Sequence, residues 1–208
     1  MTSIYYTSCK KLPEYEYRKL IRLLPKAMQE RLSKFRRWQD AYTYLYGKLL
    51  LKKSMLQFGY DYSLESIKTT EHGKPYFENS SFSFNISHSE EYVVCAISND
   101  EKVNLGIDIE KVKPIKIDGF SAVFSPEEKK EIDSYNKFYT CWTRKEAIVK
   151  ADGRGLTIPL NTINTLKLST KLDNEKYYLS KVDINEGYIA HIASLTKIEK
   201  MNVVNLFF

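Results

Sequence analysis

The acidic pair in the string NLGIDIE (residues 104–110) is the first feature that could do chemistry. In an extended chain successive side chains alternate. Leu105, Ile107 and Ile109 therefore fall on one face, and Gly106, Asp108 and Glu110 on the other. Two carboxylates on one strand face stand about 7 Å apart at the backbone, close enough for their side chains to converge on one cation. Magnesium takes one or two carboxylates together with phosphate oxygens and water. Gly106 leaves room for a ligand or a neighbouring backbone to approach. The plainer alternative is a solvent-facing strand whose acids pair with Lys111 or Lys113. A second string, WTRKEAIVK (residues 142–150), sets Trp142, Glu146 and Lys150 along one side of a helix. That offers a third carboxylate and an ammonium one turn away, suited to a metal ligand and a phosphate partner. The alternative is a surface Glu–Lys pair worth about 0.3–0.5 kcal/mol.

Other groups carry less information alone. The Gly-Arg-Gly of ADGRGL (residues 151–156) could end that helix and bring backbone to a ligand. Ser125-Pro126-Glu127-Glu128 fits a capping box, which gives Glu128 a structural duty first. His88 lies on the apolar face of a strand beside a polar turn, and a lone histidine is more often structural. His72 and His191 have no companion pattern, and Lys74 reads as a solvated turn lysine unless a phosphate lies nearby.

The elements that must position these groups follow from periodicity. A short strand is expected at residues 3–7, then helix from 14 to 59, restarted at Pro25 and stopped by Gly59. The longest helix spans 41–57. Residues 82–89 alternate, with Phe82, Phe84, Ile86 and His88 on one face, while 92–98 form an apolar run fit for a central strand. Helices are expected from 125 and up to about 151, and strands at 188–194 and near the end. YVVCAIS (92–98) and YIAHIAS (188–194) echo each other at an offset of 96. Tyr42-Thr43, Lys48 and Lys53 recur one residue further apart as Tyr139-Thr140, Lys145 and Lys150. A duplicated helix-then-hairpin unit predicts an α+β fold. It would have two similar subdomains related by a pseudo-two-fold, a cleft between them, and a boundary separating 1–102 from 103–208.

With 208 residues, 43% apolar and 28% charged, the chain can bury a substantial core and is not a disordered segment. It has no apolar stretch long enough to span a bilayer and no secretory leader, so a mature cytoplasmic protein is expected. Cys9, Cys95 and Cys141 are odd in number and far apart, which fits buried thiols in a reducing compartment. The net charge of +6 is concentrated: residues 18–53 carry eleven basic groups against Glu30 and Asp40. Such a field attracts polyanions; the alternative is a solvated helix face. A metal-dependent nuclease would need a lysine where Val112 stands. A basic nucleic-acid-binding module would leave the three acids without a purpose.

Taken together, HGKP (72–75), FNISHS (84–89), GIDIEKVKPI (106–115), FSPEE (124–128) and WTRKEAIVKADGRGL (142–156), in this order, resemble the 4′-phosphopantetheinyl transferases of the surfactin-synthetase (Sfp) type. The resemblance implies transfer of the phosphopantetheine arm of coenzyme A to a serine of an acidic acyl or peptidyl carrier protein. It implies Mg²⁺ as cofactor, adenosine 3′,5′-bisphosphate as product, and a monomer with its cleft made in one chain. It implies no nucleic-acid or membrane partner. Carried over to this sequence, Asp108, Glu110 and Glu146 become metal ligands, and Lys150 a contact of the coenzyme phosphates. Ser87 and His88 would meet the coenzyme's phosphate end, Lys74 and Pro75 line its adenine side, and Arg31 grips its ribose 3′-phosphate. Glu146 is also the first candidate for general base. Trp142, Lys145, Lys113 and Glu128 match further family positions. Two positions depart from the family: a lysine one turn before Arg31 is Met28, with Lys26 or Lys34 as substitutes, and an Arg or Thr is Tyr44.

Overall fold

Proline cannot donate an amide hydrogen, so the helical stretch of the first half divides at Pro25. In the computed structural model, which describes residues 1–100 and 103–208, strand β1 (Thr2–Ser8) leads into three helices. These are α1 (Glu14–Ile21), α2 (Lys26–Leu32) and α3 (Trp38–Gln57). Pro25 sits at the N-cap of α2, and Gly59, in the left-handed region at φ 78°, follows α3. Then come the short hairpin of β2 (Ile67–Thr69) and β3 (Pro75–Phe77), strands β4 (Ser83–Ser89) and β5 (Tyr92–Ser98), and β6 (Gly106–Lys111). Helices α4 (Pro126–Glu131) and α5 (Tyr135–Asp152) precede β7 (Ser169–Leu172), β8 (Glu175–Val182), β9 (Tyr188–Ser194) and β10 (Met201–Asn205).

Two four-stranded sheets organise the chain, ordered β10-β1-β5-β4 and β6-β9-β8-β7. β5 lies between β1 and β4, antiparallel to both, and β9 lies between β6 and β8 in the same way. α3 packs on β1, β4 and β5, and α5 packs on β6 and β9. Each half is thus a strand, a helix and a hairpin, and the echoing segments 92–98 and 188–194 are the two central strands. This is the α+β duplication expected from the sequence. The last strand, β10, returns to the first sheet and pairs parallel with β1. The boundary expected between 102 and 103 falls at residues 101–102, outside the described residues.

Alternation along each central strand splits its side chains between two cores. Val93, Cys95 and Ile97 join the core under α3, while Val94 and Ala96 turn towards Leu105, Ile107, Ile109, Ala190 and Ile192 of the other sheet. The halves therefore share a buried apolar layer. The three cysteines are buried and free. Among the described residues no helix is long and apolar enough to cross a membrane.

Candidate active site

The site depends on how close α5 comes to β6. A Cβ at Gly106 would sit 2.0 Å from the Ala147 carbonyl oxygen and 2.3 Å from the Ala151 amide nitrogen, so only glycine admits this contact. The neighbouring-backbone reading of Gly106 is the one realised. Glu146 and Lys150 each precede one of those alanines, and the contact carries them over the face of β6 that holds Asp108 and Glu110. Asp108 is 4% exposed. Lys150 Nζ donates to its Oδ1 at 2.6 Å and to Ser87 Oγ at 2.8 Å, while Ser87 Oγ donates to the same Oδ1 at 2.9 Å. Ser89 Oγ donates to Glu110 Oε2 at 2.7 Å and accepts from the Lys111 amide, and Asn85 Oδ1 accepts from the Ile107 amide at 3.0 Å. The polar face of β4 (Asn85, Ser87, Ser89) thus stitches the first half to β6. Neither surface-pair alternative survives: Asp108 and Glu110 do not bond Lys111 or Lys113 side chains, and Lys150 pairs with Asp108.

Two of the three carboxylates at this seam, Glu110 and Glu146, are held above their ordinary range. Burial pushes the Glu146 carboxyl above its ordinary range, Asp108's charge and then Glu110's add to it, and Lys150 opposes. Burial likewise raises Glu110, against the Ser89 hydrogen bond. Among the described residues no three His, Cys, Asp or Glu side chains are already gathered tightly enough to hold a metal ion. The donor set nevertheless fits a hard divalent cation. The three groups are all oxygen donors that repel one another, and Asp108 Oδ2 is a buried oxygen without a hydrogen-bond partner.

Next to the seam a cavity of about 280 Å³ is lined by Lys74, Pro75, Asn85, Ile86, Glu146 and Lys150. A second, of about 410 Å³, shares Pro75 and Ile86 and is walled by Phe35, Tyr44, Lys48 and His88. The first cavity lies between the halves, and every residue lining the second belongs to the first half. Lys74 is not a solvated turn lysine. Its Nζ donates to Ala151 O and Asn104 Oδ1, each at 2.6 Å, and burial lowers its pKa to about 8. His88 stands at the rim, its imidazole held below its ordinary pKa by the surrounding walls and then by Lys150. Arg31 is exposed on α2, its guanidinium 4.9 Å from the Tyr44 ring centroid, and lines neither cavity. The sequence reading missed Asn85, Ser89, Asn104 and Lys48. The period-two polar face 85–87–89 was a visible signal for the first two.

The remaining family positions have partners of their own. Glu128 completes the capping box with Ser125. It also forms a fully buried ion pair with Lys145 at 2.7 Å, and Lys145 Nζ donates to the Leu160 and Ile163 carbonyls. Lys113 pairs with Glu90 at the surface, and Trp142 stacks on Phe138 beside Glu110. His191 is buried, bonded to Thr143 and accepting from Arg144 Nε.

Known proteins resemble this chain in sequence. Residues 12–100 match the family described as 4′-phosphopantetheinyl transferase, N-terminal, and residues 104–192 match the 4′-phosphopantetheinyl transferase superfamily. The 4′-phosphopantetheinyl transferase gsp of Aneurinibacillus migulanus is 33% identical over 205 residues, covering 88% of this chain and 84% of that protein. The 4′-phosphopantetheinyl transferase Sfp of Bacillus subtilis (strain 168) is 29% identical over 192 residues, covering 85% of this chain and 84% of Sfp. The 4′-phosphopantetheinyl transferase ffp of Bacillus subtilis is 31% identical over 162 residues, 74% of this chain and 70% of that protein. The two family matches fall on the two halves whose seam holds Asp108, Glu146 and Lys150, and the chain belongs to the 4′-phosphopantetheinyl transferase superfamily of enzymes.

Proposed function

We propose that this enzyme moves the 4′-phosphopantetheine arm of coenzyme A onto a serine hydroxyl of an acidic acyl or peptidyl carrier protein, with Mg²⁺ as cofactor. Adenosine 3′,5′-bisphosphate leaves. The observation that carries this reading is the seam itself. There an acid with one orphaned oxygen and two further carboxylates meet a lysine, and two of these groups, Glu146 and Lys150, line the adjoining cavity. Asp108, Glu110 and Glu146 are the residues that hold the cation, and residues 1–102 supply most coenzyme contacts. When bound, Mg²⁺ neutralises the pyrophosphate and the charge that builds on the leaving oxygen.

The chain's own groups do the rest. Lys150, fixed by Asp108 and Ser87, presents its ammonium at the cavity wall, where it stabilises phosphate charge. Lys74 and Pro75 orient the adenine side, while Ser87, His88 and Arg31 meet the phosphates. The attacking serine must lose a proton as its oxygen bonds to the β-phosphorus and the bridging P–O bond breaks. Glu146, at the cavity wall, is the acceptor for that proton. The three free buried thiols suit the reducing cytoplasm, where we place the enzyme.

Intact-mass measurement of an apo carrier protein incubated with coenzyme A, Mg²⁺ and enzyme tests this reading. One added phosphopantetheine group, lost when the metal is chelated, is the expected result. An unmodified carrier, or addition indifferent to chelation, overturns it.

A further inference from the structure

Ser89 ends strand β4 in the first half, yet its hydroxyl serves the second. The residue is 9% exposed and lines neither cavity. Alternation along β4 turns Ser87 and Ser89 to β6, while His88 between them faces the larger cavity. Ser89 Oγ accepts the Lys111 amide at 3.1 Å. An amide nitrogen only donates, so the hydroxyl proton is directed to Glu110 Oε2 at 2.7 Å. A hydroxyl engaged at both ends cannot turn without losing a hydrogen bond, and it fixes the end of a side chain that otherwise moves among several rotamers. Asp108 is held in a comparable way, by Ser87 and Lys150. Glu146 differs: among the described residues its carboxylate makes no hydrogen bond or ion pair. Two of the three carboxylates are therefore tied to hydroxyls of β4, and the third, on α5, is untied.

We propose that Ser89 is a positioning residue for Glu110. By holding Oε2 from the opposite half it sets the affinity for the divalent cation, while touching neither the coenzyme nor the reacting atoms. This rests on the proposed function and deepens it, because a strand of one half then tunes the metal site of the other. A ligand already held in place loses less freedom when the cation binds, and the groups that hold such ligands are worth about ten- to a hundredfold in metal affinity. Asn85 supports the same join: its Oδ1 takes the Ile107 amide at 3.0 Å and keeps β6 alongside β4.

The test compares wild type, Ser89→Ala and Ser89→Thr, with Mn²⁺ as the probe ion. Free Mn²⁺ is counted by electron paramagnetic resonance in the presence of coenzyme A, and transfer to an apo carrier is titrated with Mg²⁺. Ser89→Ala is expected to weaken Mn²⁺ binding about tenfold or more and to raise KM for Mg²⁺ to match, with kcat at saturating Mg²⁺ lowered less than about threefold. Ser89→Thr keeps the hydroxyl and should restore most of the Mn²⁺ affinity. Calorimetric binding of coenzyme A with the metal chelated should be the same for all three proteins, which separates lost positioning from a disturbed fold. Mn²⁺ affinity unmoved by Ser89→Ala, or lost equally in both variants, overturns the assignment, as does a matching loss of metal-free coenzyme binding. Transfer by a wild type whose Mn²⁺ affinity ignores Ser89 keeps the transferase reading and refutes the positioning role. A wild type that binds Mn²⁺ through Ser89 but modifies no carrier does the reverse.

Discussion

Removing one member of the Glu128–Lys145 pair tests how α5 is held in place. Both side chains are fully buried. Glu128 Oε2 meets Lys145 Nζ at 2.7 Å and accepts the Ser125 amide at 2.9 Å. Its Oε1 accepts the Thr165 amide at 2.8 Å and the Thr165 hydroxyl at 2.6 Å. Glu128→Met would strand an ammonium with only the Leu160 and Ile163 carbonyls for company, and breaking a buried pair in this way costs about 3–5 kcal/mol. For a chain of this size each kcal/mol moves the melting temperature by about 2–4 °C, so a drop of about 6–20 °C is expected. Lys145→Met should cost a similar amount, because it leaves the carboxylate buried and uncompensated. The double variant should be more stable than the sum of the two losses implies, with a coupling of about 2–3 kcal/mol in urea unfolding. Additive losses, with a coupling below about 0.5 kcal/mol, would show that the two charges do not support each other and would refute the reasoning.

Two further perturbations probe the frame around the site. Gly106→Ala places a Cβ against α5 backbone and should destabilise the fold by at least about 2 kcal/mol while lowering transfer; a variant as stable and active as wild type would show that the close approach is not needed. His191 is buried neutral with its pKa lowered to about 3, chiefly by burial and then by Arg144 and Lys181. The unfolded chain therefore takes up a proton that the folded chain refuses as pH falls from about 6.5 towards 3, and stability is lost over that window. Urea unfolding at pH 7 and pH 4 should show wild type losing about 3 kcal/mol more than His191→Gln; equal losses would mean the folded imidazole titrates normally.

What the sequence revealed was set by local pattern, and what it hid was set by packing across the seam. The alternation in NLGIDIE placed Asp108 and Glu110 on one face, and the spacing of Glu146 and Lys150 placed them on one side of a helix. Both readings hold because period-two and one-turn relations are fixed within a single element. The echo of 92–98 in 188–194 likewise found the two central strands. Lys74 looked solvated because its partners, Asn104 and Ala151 O, come from the other half of the chain. Lys48 was counted only as one of many basic residues, and its place on a cavity wall becomes visible only when α3 packs beside Pro75, Ile86 and His88. The return of β10 to β1 has no local signal, since parallel pairing between the two ends of a chain depends on the assembled sheet.

The central claim is that the carboxylates and lysine at the seam of the two halves carry phosphopantetheine transfer. It is tested most directly by intact-mass assay of an apo carrier with coenzyme A at saturating Mg²⁺, comparing wild type with Asp108→Ala and Glu146→Ala. The account predicts complete addition of one phosphopantetheine group by wild type and initial rates at least about 100-fold lower for each variant. Near-wild-type transfer by either variant would contradict it.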